Sequence, residues 1–386
     1  MFIDVHIIQT VPFSNLNRDD VGSPKTTQFG GTTRLRVSSQ AWKRATRLAM
    51  EAGHESRTWR TRHPDVRLAE ILGQGLSAET AISAAKAVFH ILGTATTDEE
   101  NNVILFVSDT ELAALAELVA PHVEELAQAW AAYQEASEDE KVKKGRKGKK
   151  ETELKVTALA QDDVRKVLVS ALHNDSVGLF GRMLAAAPEV NVEAAVQVAH
   201  AFSVHEITTE IDYFTVAEDL PVAEEKKGAA HMGTPEFASG TLYRYASVDV
   251  KQLLGNSGED RKMAADLAAA FIENFATSMP SGKKNSTAPA TAPALVYVAV
   301  RKDRPLSLAD AFEGRLRFCQ EGFAKAGADR LADHITRAQS VCPGPDWSAH
   351  VTSIYPYHDG PKQFGKQVEG LADLAKSAAR TALGVA

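Results

Sequence analysis

Between Val21 and Met50 the chain carries Lys25, Arg34, Arg36, Lys43, Arg44 and Arg47 without one Asp or Glu, although the whole 386-residue sequence has a formal net charge of −7. The residue order there specifies a local fold. Asn17-Arg18-Asp19-Asp20 reads as a loop, Phe29-Gly30-Gly31 as a Gly pair, Arg34-Leu35-Arg36-Val37 as a short strand and Ser38-Ser39-Gln40 as a capped helix start. Ser38 and Ser39 are N-cap residues, and the first-turn N–H groups behind them make an anion site. Gln40, Lys43, Arg44 and Arg47 fall at i, i+3, i+4 and i+7 and form one polar stripe, with Ala41, Ala45 and Leu48 expected opposite as the apolar stripe. A helix start with a basic stripe suits consecutive phosphates. The alternative is a solvated surface helix, the usual meaning of a charge run; the missing acids favour a polyanion.

A hydrophobic content of 44% is ample for a core, in one large elaborated domain or two to three ordinary ones. A pI near 6.0 argues against a protein coated in nucleic acid, so any such contact is expected in a groove or at an edge. Cys319 and Cys342 are too few for a disulfide framework or a Cys-based zinc site and fit a reducing compartment. The start Met1-Phe2-Ile3-Asp4-Val5-His6 has no basic segment ahead of an apolar run, and no stretch reaches about 18 unbroken apolar residues. The expectation is a cytoplasmic protein away from membranes.

Along the chain, Ile3, Val5 and Ile7 alternate with Asp4 and His6, as in a half-buried strand. Pro64 to about Asp139 is Ala- and Leu-rich with helical periodicity, including Leu112, Leu115, Leu118 and Val119, and reads as an inserted helical subdomain. An acidic block to Glu140 then meets the basic run Lys141 to Lys150, read as a mobile loop. Helical character resumes at Ala158 to Leu172; Asp175 to Met183 reads as a strand leaving the core, and Asn191 as the cap of a helix from Val192 to about Ala201. Val204 to Val216 and the polar stretch to Gly240 form a hairpin-like excursion, followed by a strand at Leu242 to Val250, a helix at Arg261 to Ala276 and a strand at Leu295 to Val300. The interleaving makes the core α+β.

Asn17-Arg18-Asp19-Asp20, Phe29-Gly30-Gly31, Ser38-Ser39-Gln40-x-x-Lys43-Arg44, Gly181-Arg182-Met183 and Asp212-Tyr213-Phe214-Thr215, in this order, resemble the backbone subunit of type I-E CRISPR Cascade, the CasC family. Ala199-His200-Ala201, His231-Met232-Gly233-Thr234-Pro235-Glu236-Phe237 and Tyr243-Arg244-Tyr245-Ala246 extend the likeness to about residue 300. The resemblance implies a ferredoxin-like, RRM-related palm with an inserted helical fingers subdomain and a β-hairpin thumb. The palm would take residues 1–60, 161–202 and, with C-terminal elements, 241–386; the fingers 61–160; the thumb 203–240.

It also implies that several copies, typically six, stack in a helical filament along one CRISPR RNA, beside other Cascade subunits. They would hold its phosphates and leave most bases free to pair with target DNA, so that sequence is read by the guide. Arg18, Lys25, Ser38, Gln40, Lys43, Arg44 and Arg47 are the expected phosphate and sugar contacts. Tyr213, Phe214 and Thr215 match the thumb segment that displaces a base at regular intervals, and Met183 a palm residue that wedges against bases. Aromatic–base stacking is worth roughly 1–3 kcal/mol per base. The competing assignment for Phe214 and Met183 is an ordinary place in a core.

Other constellations carry less. Gly282-Lys283-Lys284-Asn285-Ser286-Thr287 lacks phosphate-loop spacing, Thr277 standing where the first Gly belongs, and reads as a basic loop touching RNA or a solvated connection. Asp19 and Asp20 are assigned to loop structure or subunit contact rather than metal. His200 and His205 lack zinc-motif spacing and are expected to be structural. Lys141 to Lys150 is either a DNA contact or a solubilising loop. No cofactor, metal or catalytic residue is expected. The enzyme alternative is a CRISPR RNA-processing endoribonuclease of the same wider superfamily, with His6 on the exposed face of the first strand as general base; the third is a protein scaffold without RNA.

Overall fold

The run Phe2–Ser14 forms β1, in which every residue from Ile3 to Gln9 is buried, Asp4 and His6 included. In the computed structural model, which describes residues 1–52, 57–73, 75–94, 104–143, 154, 156, 159–170, 176–185, 187–216, 231–317, 320–342, 348–353 and 364–385, β1 lies inside a sheet covered on both faces. The half-buried strand expected from its alternation is thereby corrected: a central strand between two layers buries its polar side chains too, and each needs a partner. The segment 217–230 and the basic run beyond Lys143 lie outside the described residues.

The other strands are β2 Thr26–Phe29, β3 Thr32–Val37, β4 Thr58–Thr61, β5 Leu105–Ser108, β6 Val196–Val198, β7 Ala201–Ser203, β8 Glu210–Ile211, β9 Phe214–Val216, β10 His231–Gly233, β11 Glu236–Asp249, β12 Leu295–Arg301, β13 Ser348–Ser353 and β14 Lys366–Gln367. The helices are α1 Ser39–Met50, α2 Pro64–Leu72, α3 Ala78–Ile91, α4 Asp109–Val119, α5 Val123–Lys143, α6 Gln161–Ser170, α7 Ser176–Phe180, α8 Val250–Asn256, α9 Arg261–Thr277, α10 Lys284–Thr287, α11 Gly322–Val341 and α12 Leu371–Leu383. The mixed α+β class is as expected.

Two units divide the chain. The first comprises Met1–Met50, Val196–Lys251 and Arg261–Ala386. Its sheet runs β14-β13-β12-β1-β11-β7-β3-β2, with β6 and β8 also pairing β11. β1 is antiparallel to both neighbours, with His6 opposite Tyr245 and Tyr297. On that face Ile8, Tyr243, Tyr245 and Tyr297 share a core with Ala328, Leu331 and Ile335 of α11. The opposite face holds a buried cation: Arg244 stands 3.6 Å from the Trp42 ring centroid of α1, donates to Gln9 Oε1 at 2.6 Å and to the Phe275 carbonyl, and its pKa is pushed down to about 9 by burial. Its donors meet carbonyls near the end of α9, where helix carbonyls need partners.

The second unit comprises Glu51–Ala195 and Gln252–Asp260. Its core is helical, as the periodicity predicts, and gathers Leu68, Val88, Phe89, Leu112, Leu115, Leu126 and Trp130. The short antiparallel pair β4–β5 flanks α4, which starts in a capping box: Ser108 Oγ accepts the Glu111 N–H at 3.1 Å and Glu111 Oε2 accepts the Ser108 N–H at 2.8 Å.

Two further expectations are corrected. Ser176–Phe180 is a helical turn and not a strand, since a short, wholly buried apolar run has no periodicity to separate the two. No helix follows Asn191; Val196–Val198 instead pairs β11, and sheet pairing overrides the helix preference of the local alanines.

Candidate nucleic-acid interface

Asn17 organises the basic segment of the first unit. Its Oδ1 accepts the Ser38 N–H at 2.9 Å and its carbonyl accepts the Lys25 N–H at 2.9 Å, so one residue ties the loop to the start of α1. Within the loop, Asp19 Oδ1 accepts the N–H groups of Val21 and Ser23 at 3.1 and 2.9 Å, an Asx turn that accounts for this carboxylate structurally. Gly30 and Gly31, with φ of 59° and 73°, make the two-residue turn that joins β2 to β3. A Cβ on Gly30 would overlap the Glu313 carbonyl oxygen, so glycine is required there for space as well as angle.

Six cations of the segment divide by environment. Arg34 is fully buried and donates to the carbonyls of Phe29, Ser203 and Phe312 at 3.3, 3.2 and 3.1 Å, a clip that holds the hairpin. Arg47 is only 7% exposed, so its place on an outward stripe is corrected. The buried face of α1 is carried by Trp42 and Thr46, while Leu48, expected inside, is exposed. An indole removes more apolar area from water than Leu or Ala, and Trp42 therefore sets the rotation of the helix. Arg44 and Gln40 are exposed, and Lys25, Arg36 and Lys43 are partly so.

Around the helix start, Arg36 Nε donates to the Thr26 carbonyl at 3.2 Å and its Nη1 lies 3.3 Å from His200 Nδ1. Partial burial, then the charges of Arg36 and Lys25, hold the His200 pKa below its usual value. Ser38 Oγ accepts the Ala41 N–H at 3.4 Å, the expected cap. Exposed Arg18 forms an isolated β-bridge with Pro24. The turn at Gly282 borders this loop: it lines the same shallow cleft as Leu16–Gly22, and a Cβ there would collide with the Leu16 carbonyl. Lys283 Nζ lies 5.5 Å from the Phe237 ring centroid, and Phe237 stacks on Phe13 at 4.3 Å. His205 is structural, as expected, with Nε2 accepting the Thr241 N–H at 3.1 Å.

The excursion after Val204 is an antiparallel pair in which Phe214 faces Gly233 and Thr215 faces Met232. A Cβ on Gly233 would lie 2.5 Å from Phe214 Cε1; the ring covers the glycine backbone, as aromatic residues do in strands. Phe214 is nevertheless 38% exposed, Thr215 is exposed, and Tyr213, 63% exposed, donates its hydroxyl to Met232 Sδ at 3.1 Å. Neither Phe214 nor Tyr213 is a core residue.

Met183 belongs to the second unit and is 83% exposed. It is presented by a braced turn: Gly181 has φ of 77°, Arg182 pairs with Val192 in a β-bridge, and Asn191 Oδ1 accepts the Leu184 N–H at 2.5 Å. Arg182 is buried and forms an ion pair with Glu111 at 2.5 Å. Asn191, read as a helix cap, thus serves this turn. The sequence names Asn191, Met232 and Gly233 but not their roles in these turns, and it does not single out Glu111; the His231-Met232-Gly233 run and the Ser108-x-x-Glu111 pattern are the local signals.

His6 is no exposed base. It is 1% exposed, its Nδ1 lies 2.8 Å from the Tyr243 hydroxyl, and burial followed by the charge of Arg301 pushes its pKa down to about 3. Among the described residues no His, Cys, Asp and Glu converge as a metal site, and no helix is long and apolar enough to cross a membrane.

A family model described as CT1975-like protein matches residues 3–371. The chain belongs to the CT1975-like family. Solved structures extend the comparison: this CT1975-like protein is 35% identical to a chain of a "CRISPR RNA-guided surveillance complex, pre-nicking", with a TM-score of 0.83 over 99% of this chain and 100% of that one. A chain of a "CRISPR RNA-guided surveillance complex" is 31% identical, with a TM-score of 0.73 over 99% and 100%. No curated protein matches the CT1975-like chain. The likeness read from its motifs and the likeness of its fold point to the same kind of assembly.

Proposed function

We propose that this CT1975-like protein is the CRISPR RNA-binding backbone subunit of a type I-E antiviral surveillance complex. Copies of it, typically six, polymerise along one guide RNA in the cytoplasm, hold the ribose-phosphate chain and present bases for pairing with target DNA, alongside other subunits. The observation that carries this reading is the loop–helix junction fixed by Asn17, which joins the loop of Arg18 and Lys25 to Arg36 and the capped N-terminus of α1, with Lys43 and Arg44 in the next turn of that helix. Cations and first-turn N–H groups bind phosphate oxygens whatever the base. Sequence is left to the guide.

The exposed Tyr213, Phe214, Thr215 and Met232 fit a base-displacing thumb, and Met183 fits a wedge: a rigid aromatic or thioether can fill the gap left in a base stack. The protein acts as a binder and not as an enzyme. Purification of the expressed protein tests this. Co-purifying RNA of uniform length is expected, and it should survive incubation with and without divalent metal; protein free of RNA, or RNA that is cleaved, would contradict the reading.

A further inference from the structure

The ribbon formed by β4 and β5 carries exposed arginines on both faces and an aromatic ring on one of them, in the unit that does not contain the Asn17 junction. From Arg57 to His63 the sequence is Arg-Thr-Trp-Arg-Thr-Arg-His, with four basic side chains and no acid. Asp65, the next acid along the chain, is buried. Trp59 is 36% exposed, high for a residue of this size in a paired strand.

Its position is fixed from three sides. The indole N–H donates to Asp109 Oδ1 at 2.9 Å, the backbone pairs opposite Val107, and the Arg67 guanidinium lies 5.5 Å from the ring centroid. Arg67 is itself held, donating to Asp109 Oδ1 at 2.9 Å and Glu70 Oε2 at 2.7 Å. Asp109 Oδ2 also accepts the Arg57 N–H at 3.2 Å, so one carboxylate anchors the ring, the cation beside it and the strand start. On the ribbon, Arg60 lies over Phe106, 4.8 Å from its centroid.

We infer that this ribbon binds single-stranded nucleic acid wrapped over its edge, with a base stacked on Trp59, a flanking phosphate met by Arg57 on the same face, and further phosphates met on the other face by Arg60 and Arg62. A flat ring oriented in advance loses little freedom when a second ring stacks on it. A duplex hides the faces of its bases, and an acidic peptide would answer the arginines but leave the indole without a planar partner; a single strand supplies both groups at once. The inference stands on the ribbon's own geometry and does not depend on guide binding at the Asn17 junction.

The test uses the full chain with its co-purified RNA and two fluorescent probes of about 20 nucleotides, oligo(dT) and oligo(U), over a salt series. Trp59→Leu should weaken binding of at least one probe about ten-fold, Trp59→Phe should restore most of it, and joint Gln substitution of Arg57, Arg60 and Arg62 should flatten the salt slope by about 0.7 log units for every phosphate no longer neutralised. The ratio of the two probe affinities tells whether DNA or RNA is the preferred source. The length of the co-purified RNA should be unchanged in every variant, which separates this site from the guide-binding surface. Absence of probe binding by the unaltered protein, or affinities and slopes equal across the variants, would overturn the inference.

Discussion

Arg182 Nη1 lies 2.5 Å from Glu111 Oε1 with both side chains buried, and the residue after Arg182, Met183, projects into solvent. A buried ion pair adds little net stability over an apolar core, but loss of one member leaves a charge unpaired. The pair fixes the backbone from which Met183 stands out.

Glu111→Ala should therefore destabilise the fold by about 3–5 kcal/mol, since it strands the guanidinium and breaks the capping box of α4. Met183→Ala should leave stability within about 0.5 kcal/mol and alter the nuclease footprint on co-purified RNA. Thermal melts and footprints of the two variants check this; a Met183→Ala footprint identical to that of the unaltered protein would remove the wedge.

Phe214→Ala should abolish the regular displacement of bases and so change the spacing of nuclease-sensitive positions. Gly233→Val should do the same without touching the aromatic residue, because a Cβ at Gly233 meets the Phe214 ring at 2.5 Å and must shift it. Unchanged spacing in both would assign the hairpin another purpose.

Joint replacement of Lys43 and Arg44 by Ala should lower the salt slope of guide binding by about 0.7 log units for each phosphate left without its cation, with little change in melting temperature. Arg47→Ala should show the reverse, a lower melting temperature with a smaller effect on the slope, because Arg47 is buried. Salt titrations paired with melts separate the two.

Asp4 gives a pH signature. Burial raises its pKa to about 6, against the opposing hydrogen bonds from Ser247, the Leu306 N–H and Tyr245 and the charge of Arg301. The native state thus takes up a proton more readily than the unfolded chain, whose Asp titrates near 3.9. The carboxylate therefore costs stability in full above pH about 6, and the cost fades as pH falls toward about 4. Asp4→Asn should melt higher than the unaltered protein at pH about 8, and the difference should shrink to near zero by pH about 4.

The loop, the Gly pair, the short strand and the capped start of α1 were legible because each rests on local chemistry: an Asx turn, two positive φ angles and a serine cap. The rotation of α1 was not, since it is set by Trp42 lying against Arg244 and Phe275, residues more than two hundred positions away. The burial of His6 was hidden for a similar reason: alternation reveals two faces but not that both are covered. The exposure of Met183 depends on an ion pair across 71 positions and on Asn191, neither of which has a local signature. Strand or helix at Ser176–Phe180 and Val196–Val198 was decided by tertiary packing over short segments.

Ultraviolet cross-linking of the purified protein to its co-purified RNA, followed by mass spectrometry of the conjugated peptides, tests the central claim most directly. The expected adducts fall on peptides spanning Asn17 to Lys25 and Arg36 to Arg44. Adducts confined to other parts of the chain, with both of these peptides recovered unmodified, would contradict it.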